Sequence, residues 1–234
     1  AMAEFENNKV TMQRTEGDFL AERLEGITNN RAYLSGYLEE EFTYSHQNHG
    51  HAFYQAVIKV PRLSGTEDYI PIIVSDNIVP CKVFSQIKRG EFLAVEGRFS
   101  SYNQQIAPNK KRVQLYLYVD AINGEVPEEQ GIQVKNFIFL DGNICKRPIF
   151  RTTPLGRQIL EFIVAVNRKY GRADYIPCIA WGTLAEQLSR QLDVSSEICF
   201  WGRIQSRTYT KRLESGQTEE RITREVSIMR IIEK

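Results

Sequence analysis

Asp68-Tyr69-Ile70-Pro71 recurs letter for letter as Asp174-Tyr175-Ile176-Pro177, an offset of 106 residues. The same offset pairs Asn30 with Asn136, Gly36 with Gly142, Val60 with Val166 and Arg62 with Arg168. After a slip of one residue, Gly97-Arg98 pairs with Gly202-Arg203 and Ser101 with Ser206. One four-letter match is within the reach of chance, but a constant offset across separated blocks marks a duplicated unit. The chain therefore reads as two copies of one domain, at 29–122 and 136–234, after an N-terminal arm at 1–28. The stretch 123–135, which contains Gly124, Pro127, Gly131 and several charges, reads as a linker. Each copy is long enough to bury a core of its own.

Within each copy the hydrophobic period is two. Val113, Leu115, Leu117 and Val119 alternate with Gln114, Tyr116 and Tyr118, so one face is expected inside and the other outside. Ile198, Phe200 and Ile204 alternate in the same way with Trp201, Arg203 and Gln205. One helix signal interrupts the strands: Thr183-Leu184-Ala185-Glu186 fits a capping box, with Leu184, Leu188 and Leu192 following at one-turn spacing. The matching piece of the first copy contains Pro80 and is expected to be shorter or irregular. A further short helix is expected near 18–24. Three strands, a helix, then two strands, twice over, is the order of an all-β chain of two tandem OB-folds. These are five-stranded Greek-key barrels with a short helix between strands three and four.

The composition, 42% apolar and 25% charged, excludes a disordered tail, a collagen-like rod and a disulfide-dense miniprotein. No uncharged apolar run nears the roughly 18 residues of a membrane helix, and the N-terminus has no signal core, so a cytoplasmic protein is expected, with no membrane partner. Cys81, Cys145, Cys178 and Cys199 form no C-x-x-C pair and read as buried thiols. His46, His49 and His51 fall in one polar stretch that could hold a metal, but no cysteine supports them and a solvated loop fits better. Neither a catalytic motif nor a cofactor fingerprint is present, so no enzyme, metal site or cofactor is expected. The net charge of +1 conceals an asymmetry: residues 136–234 hold 16 basic and 11 acidic groups, residues 29–122 hold 10 and 9. A basic excess of this kind suits phosphate, although ordinary domains show it too.

On strand four of the second copy, Trp201, Arg203, Arg207 and Tyr209 share parity, so an unbroken strand would present them together. Tyr175 and Trp181 share parity on strand three. Aromatic rings interleaved with arginines suit a single-stranded nucleic acid, whose bases stack while guanidinium groups meet phosphates. The same residue types also suit a covered barrel wall or a subunit interface.

At these residues the second copy resembles a known family. Asn136-Phe137-Ile138-Phe139-Leu140-Asp141-Gly142 is similar to the opening strand of bacterial single-stranded DNA-binding proteins. Arg151-Thr152-Thr153-Pro154-Leu155-Gly156 resembles their arginine-threonine-proline turn, and Phe162-Ile163-Val164-Ala165-Val166-Asn167-Arg168 their second strand. Ile179-Ala180-Trp181-Gly182-Thr183-Leu184-Ala185-Glu186 and Trp201-Gly202-Arg203-Ile204-Gln205-Ser206-Arg207-Thr208-Tyr209 complete the run in order. The resemblance implies sequence-independent binding and protection of single-stranded DNA in replication, recombination and repair. It also implies four OB domains around the strand, hence a homodimer, in the cytoplasm and associated with the nucleoid. It places stacking at Tyr175, Trp181 and Tyr209 and phosphate contacts at Arg203 and Arg207. Trp201, Arg168 and Arg151 complete the expected surface of the second copy, with Tyr69, Arg98 and Tyr102 in the first.

The first copy matches more loosely. It has Ser75 in place of Trp181, Glu96 in place of Trp201, and the stretch 45–51 in place of the arginine-threonine-proline turn. Its surface is therefore open between DNA binding and assembly. After the last strand, Ile231-Ile232-Glu233-Lys234 shows no acidic recruitment tail of the kind the family usually carries. The alternative function is an accessory protein similar to primosomal replication protein N, contacting proteins mainly and DNA weakly.

Overall fold

The computed structural model describes residues 29–123 and 135–233, and the helix expected near 18–24 and most of the linker lie outside them. The first domain runs β1 (Asn30–Asn48), β2 (His51–Pro61), β3 (Glu67–Ser75), the short helix α1 (Cys81–Phe84), β4 (Phe92–Ala107) and β5 (Lys110–Asn123). The second runs β6 (Asn136–Ile144), β7 (Ile149–Thr152), β8 (Gln158–Asn167), β9 (Ala173–Trp181), α2 (Gly182–Gln191), β10 (Glu197–Arg212) and β11 (Thr218–Ile231). Strands β1 to β5 close on themselves, with β3 and β5 parallel; β6, β8, β9, β10 and β11 close in the same way, with β9 and β11 parallel. These are the two OB barrels, each filled by the inward half of its alternating strands: Leu115, Leu117 and Val119 in the first, Ile198, Phe200 and Ile204 in the second.

Two local expectations change. The single first strand of the first domain is split in the second into β6 and β7, because Pro148 has no N–H to offer a ladder and interrupts the pairing. In α2 the N-cap is Trp181, not a capping-box threonine, and no side chain caps the helix. What holds α2 is its buried face, Ala185 and Leu188, with Leu184 and Leu192 packed alongside. Pro80 shortens α1 to four residues.

The barrels meet through their first strands. β1 and β6 pair antiparallel, with Ala32 opposite Ile138, Asn30 opposite Leu140 and Leu34 opposite Asn136. Because 32 and 138 differ by the repeat offset, each residue faces the neighbourhood of its own counterpart, and a local two-fold axis passes through this pair. One face of the joining sheet fills the barrels. The other carries a smaller cluster of Tyr33, Ala94, Phe139, Cys199 and Trp201.

The repeated residues are the joinery of this dyad. Asn30 exchanges side-chain hydrogen bonds with the backbone of Phe99 (2.7 and 3.0 Å), and Asn136 does the same with Ile204 (2.7 and 2.9 Å). Asp68 and Asp174 are fully buried. Asp68 accepts two bonds from Arg62 and one from the backbone N–H of Ser206 in the other domain. Asp174 accepts from Arg168, from Arg98 and the Ser101 N–H across the junction, and Ser101 Oγ in turn accepts from Tyr175 N–H. Each Asp-Tyr-Ile-Pro block is thus one half of an inter-domain clasp.

Candidate nucleic-acid interface

Beside the Asp68 half of the clasp, the outward faces of β8, β9 and β10 enclose a cavity of about 470 Å³. Five arginines line it, Arg62 from the first domain and Arg151, Arg157, Arg203 and Arg207 from the second, with Trp181 and one carboxylate, Glu225. Trp181 is placed by the last residue of β9, just before α2. Arg157 follows the turn whose Gly156 adopts a positive φ, and its guanidinium lies over the indole at 4.5 Å from the ring centre. Arg151 bonds Glu161 at 2.9 Å, and Arg207 reaches Glu225 at 3.5 Å and Glu161 at 3.9 Å, so these two are largely compensated.

Arg203 is different. It is half-buried, and its side chain makes no hydrogen bond or ion pair among the described residues. Burial, and then the neighbouring Arg62 guanidinium, hold its guanidinium below the ordinary arginine value, with Asp68 offsetting only part. Its repeat counterpart, Arg98, is occupied by Asp174. Arg62 is held by Asp68, so the Arg203 guanidinium beside that pair is the uncompensated charge that makes a seat for an anion.

The other expected residues divide. Tyr209 lies two residues beyond Arg207 on the same face and is exposed. Tyr175 is exposed at the opposite end of β9 from Trp181, about 20 Å away over six residues, and does not line the cavity. Tyr69 donates to Glu67 at 2.9 Å on the first barrel, and Tyr102 stacks on Tyr116 at 5.2 Å. Three expectations are corrected. Trp201 is only 3% exposed, packed on Phe139 at 5.2 Å and near Phe137 at 6.4 Å. β10 runs unbroken here, the extra residue of the bulge being Met229 on β11, so Trp201 does share the face of Arg203; it is the aromatic cluster of the joining sheet that covers it. Arg168 and Arg98 are spent on Asp174 inside the clasp. Arg62 and Arg157 were missed. The repeat pairing of Arg62 with Arg168 pointed to a shared role but not to the neighbouring domain's cavity, and Arg157 stands one residue past the turn that drew attention.

The histidines stand in separate settings: His46 stacks flat on Phe53 at 4.6 Å and His51 bonds Asp76 at 3.1 Å. Among the described residues no group of three or more His, Cys, Asp or Glu could hold a metal ion, and no helix is long and apolar enough to cross a membrane.

Paired barrels with an arginine-lined aromatic cavity define the class: a tandem OB-fold. Residues 135–231 match the model of the single-strand binding protein family. Curated relatives include a single-stranded DNA-binding protein of Clostridium tetani, 34% identical over 80 residues (32% of this chain, 55% of the relative). Another, from Bacillus cereus, is 33% identical over 93 residues (37% and 52%). The chain spans about half the length of these relatives. The solved single-stranded DNA binding protein from Thermus aquaticus superposes with a TM-score of 0.66 at 21% identity, covering 88% of this chain and 92% of that one; it shows the same fold across both domains. The likeness to the single-strand binding protein family thus lies in the second domain, residues 135–231.

Proposed function

We propose that the chain binds and protects single-stranded DNA without sequence preference, as part of replication, recombination or repair, and that the cavity around Trp181 is its principal grip. The observation that carries this reading is the half-buried Arg203, whose guanidinium has no hydrogen-bond or ion-pair partner among the described residues, beside an indole already disposed to stack. A base can join the Trp181–Arg157 stack while a phosphate settles on Arg203, beside the Arg62–Asp68 pair. Neither contact reads a base edge, so sequence matters little. The function calls for no catalysis, metal or cofactor, and its place is the cytoplasm, at the nucleoid. Two chains would bring four OB domains around one strand, and one two-fold axis suffices for that.

An oligo(dT) titration followed by fluorescence anisotropy tests the reading, repeated at rising salt. Tight binding is expected, with a log–log salt slope of roughly −0.7 per neutralised phosphate. Weak binding that ignores salt would instead favour the accessory, protein-contacting role. Light scattering checks the dimer.

A further inference from the structure

Past Arg207 the outward face of the β10–β11 hairpin continues: Arg207 faces Thr223, and two residues on, about 7 Å along the strand, Tyr209 faces Arg221. Here the hairpin meets the β4–β5 hairpin of the first domain, and a second cavity of about 470 Å³ opens between them. Arg112 and Val113 of the first domain form one wall; Tyr209, Arg221 and Pro177 of the second form the other. Val113 was expected inside but is 58% exposed, because β5 has left its barrel by this point. The Arg112 side chain has no hydrogen bond or ion pair among the described residues, and the glutamate whose field it feels, Glu219, is already bound to Arg221 at 2.9 Å. Glu220 also lines the cavity. Even so, residues 110–115 and 211–224 together carry seven basic and three acidic side chains. The exposed Lys110 and Lys111 stand at the start of β5, next to Arg112.

We propose that a single strand leaving the Trp181 cavity passes Tyr209, where the resemblance already places stacking, and continues through this inter-domain cavity with its phosphates against Lys110, Lys111 and Arg112. The proposal rests on the single-strand reading of the first cavity and adds a route to it. The first domain then contributes through its hairpin and through Arg62, not through its own barrel face. That face has Ser75 and His51 at the positions of Trp181 and Arg157, and Glu39, Glu40 and Glu41 line the cavity upon it. Its equivalent of Arg203 is locked in the clasp.

The test is the full chain carrying Lys110→Ala, Lys111→Ala and Arg112→Ala together, with thermal unfolding as the check on folding. Its binding is measured with a short oligo(dT) that fills only the Trp181 cavity and with a long one. For the long strand, affinity should fall about ten-fold or more and the salt slope should become shallower by about 2, three phosphate contacts at roughly 0.7 each. Affinity for the short strand should hold. An unchanged slope and affinity for the long strand overturns the route while leaving the Trp181 cavity standing. Equal losses for both lengths also overturn it, because the charges would then act by general attraction. A variant that changes oligomeric state assigns the hairpin to protein contact instead. A wild-type chain that binds neither strand removes the single-strand reading and the route with it.

Discussion

Replacing Asp174 by alanine should be among the most damaging single changes in this chain, although it touches no part of the proposed groove. Its carboxylate is fully buried and accepts from two guanidiniums, Arg98 at 2.8 Å and Arg168, and from the Ser101 N–H at 3.2 Å. Removing one side of a buried charged pair leaves the other uncompensated and costs about 3–5 kcal/mol. Here the guanidiniums are 28% and 33% exposed, so water relieves some of that burden and the lower end, about 3 kcal/mol, is expected. For a chain of this size that lowers Tm by on the order of 10 °C. Asp68→Ala should cost less, because Asp68 is hydrogen-bonded to one arginine, not two. Urea unfolding of both variants beside wild type gives the comparison, with the m-value checking that the unfolded state is unchanged. An Asp174→Ala protein within about 0.5 kcal/mol of wild type would refute the clasp as a stabilising device.

Gly142→Ala should destabilise by about 1–3 kcal/mol in the same assay, since a Cβ there would press on the Ala165 carbonyl oxygen and, at 2.8 Å, on a Val164 methyl; a neutral outcome would mean that β6 and β8 part more easily than they pack. Burial, and then the hydrogen bond its hydroxyl donates to Tyr116 at 3.2 Å, push the Tyr102 phenol above its ordinary range. A raised value means that the folded state keeps the proton. The contribution is therefore complete below the unfolded value of about 10 and is lost as pH rises through the folded one. Tyr102→Phe should thus flatten the alkaline loss of stability and remove the latest tyrosinate absorbance step; an unchanged alkaline profile would contradict this.

Which parts of this molecule could be read from its sequence follows from what repetition records. Asn30 and Asn136, Asp68 and Asp174, and Ser101 and Ser206 recur because a two-fold junction needs each part twice. The duplicated residues therefore exposed the barrels and their number, while the groove lies where the copies differ, at Trp181 against Ser75 and Arg157 against His51. Parity located the face of Arg203 and Arg207 but not what covers it. Trp201 has the same parity, yet the aromatic cluster of the joining sheet covers it. Charge was equally incomplete as a guide. Arg98 looks available until its partner is known, and that partner is Asp174, 76 residues away in the other domain. The division of the first strand into β6 and β7 follows from Pro148, which offers no N–H to the ladder.

Trp181 is where the account is most exposed. Of the two tryptophans, Trp201 is buried in the joining sheet and Trp181 stands in the cavity under Arg157. Oligo(dT) should therefore quench only the Trp181 share of the intrinsic fluorescence. Stacking is worth on the order of 1–3 kcal/mol per base, so Trp181→Ala should weaken binding by about ten-fold or more. The remaining Trp201 signal should not move when the strand is added. A Trp181→Ala chain that binds as tightly as wild type, or whose remaining tryptophan is quenched at saturation, would show that the strand lies elsewhere.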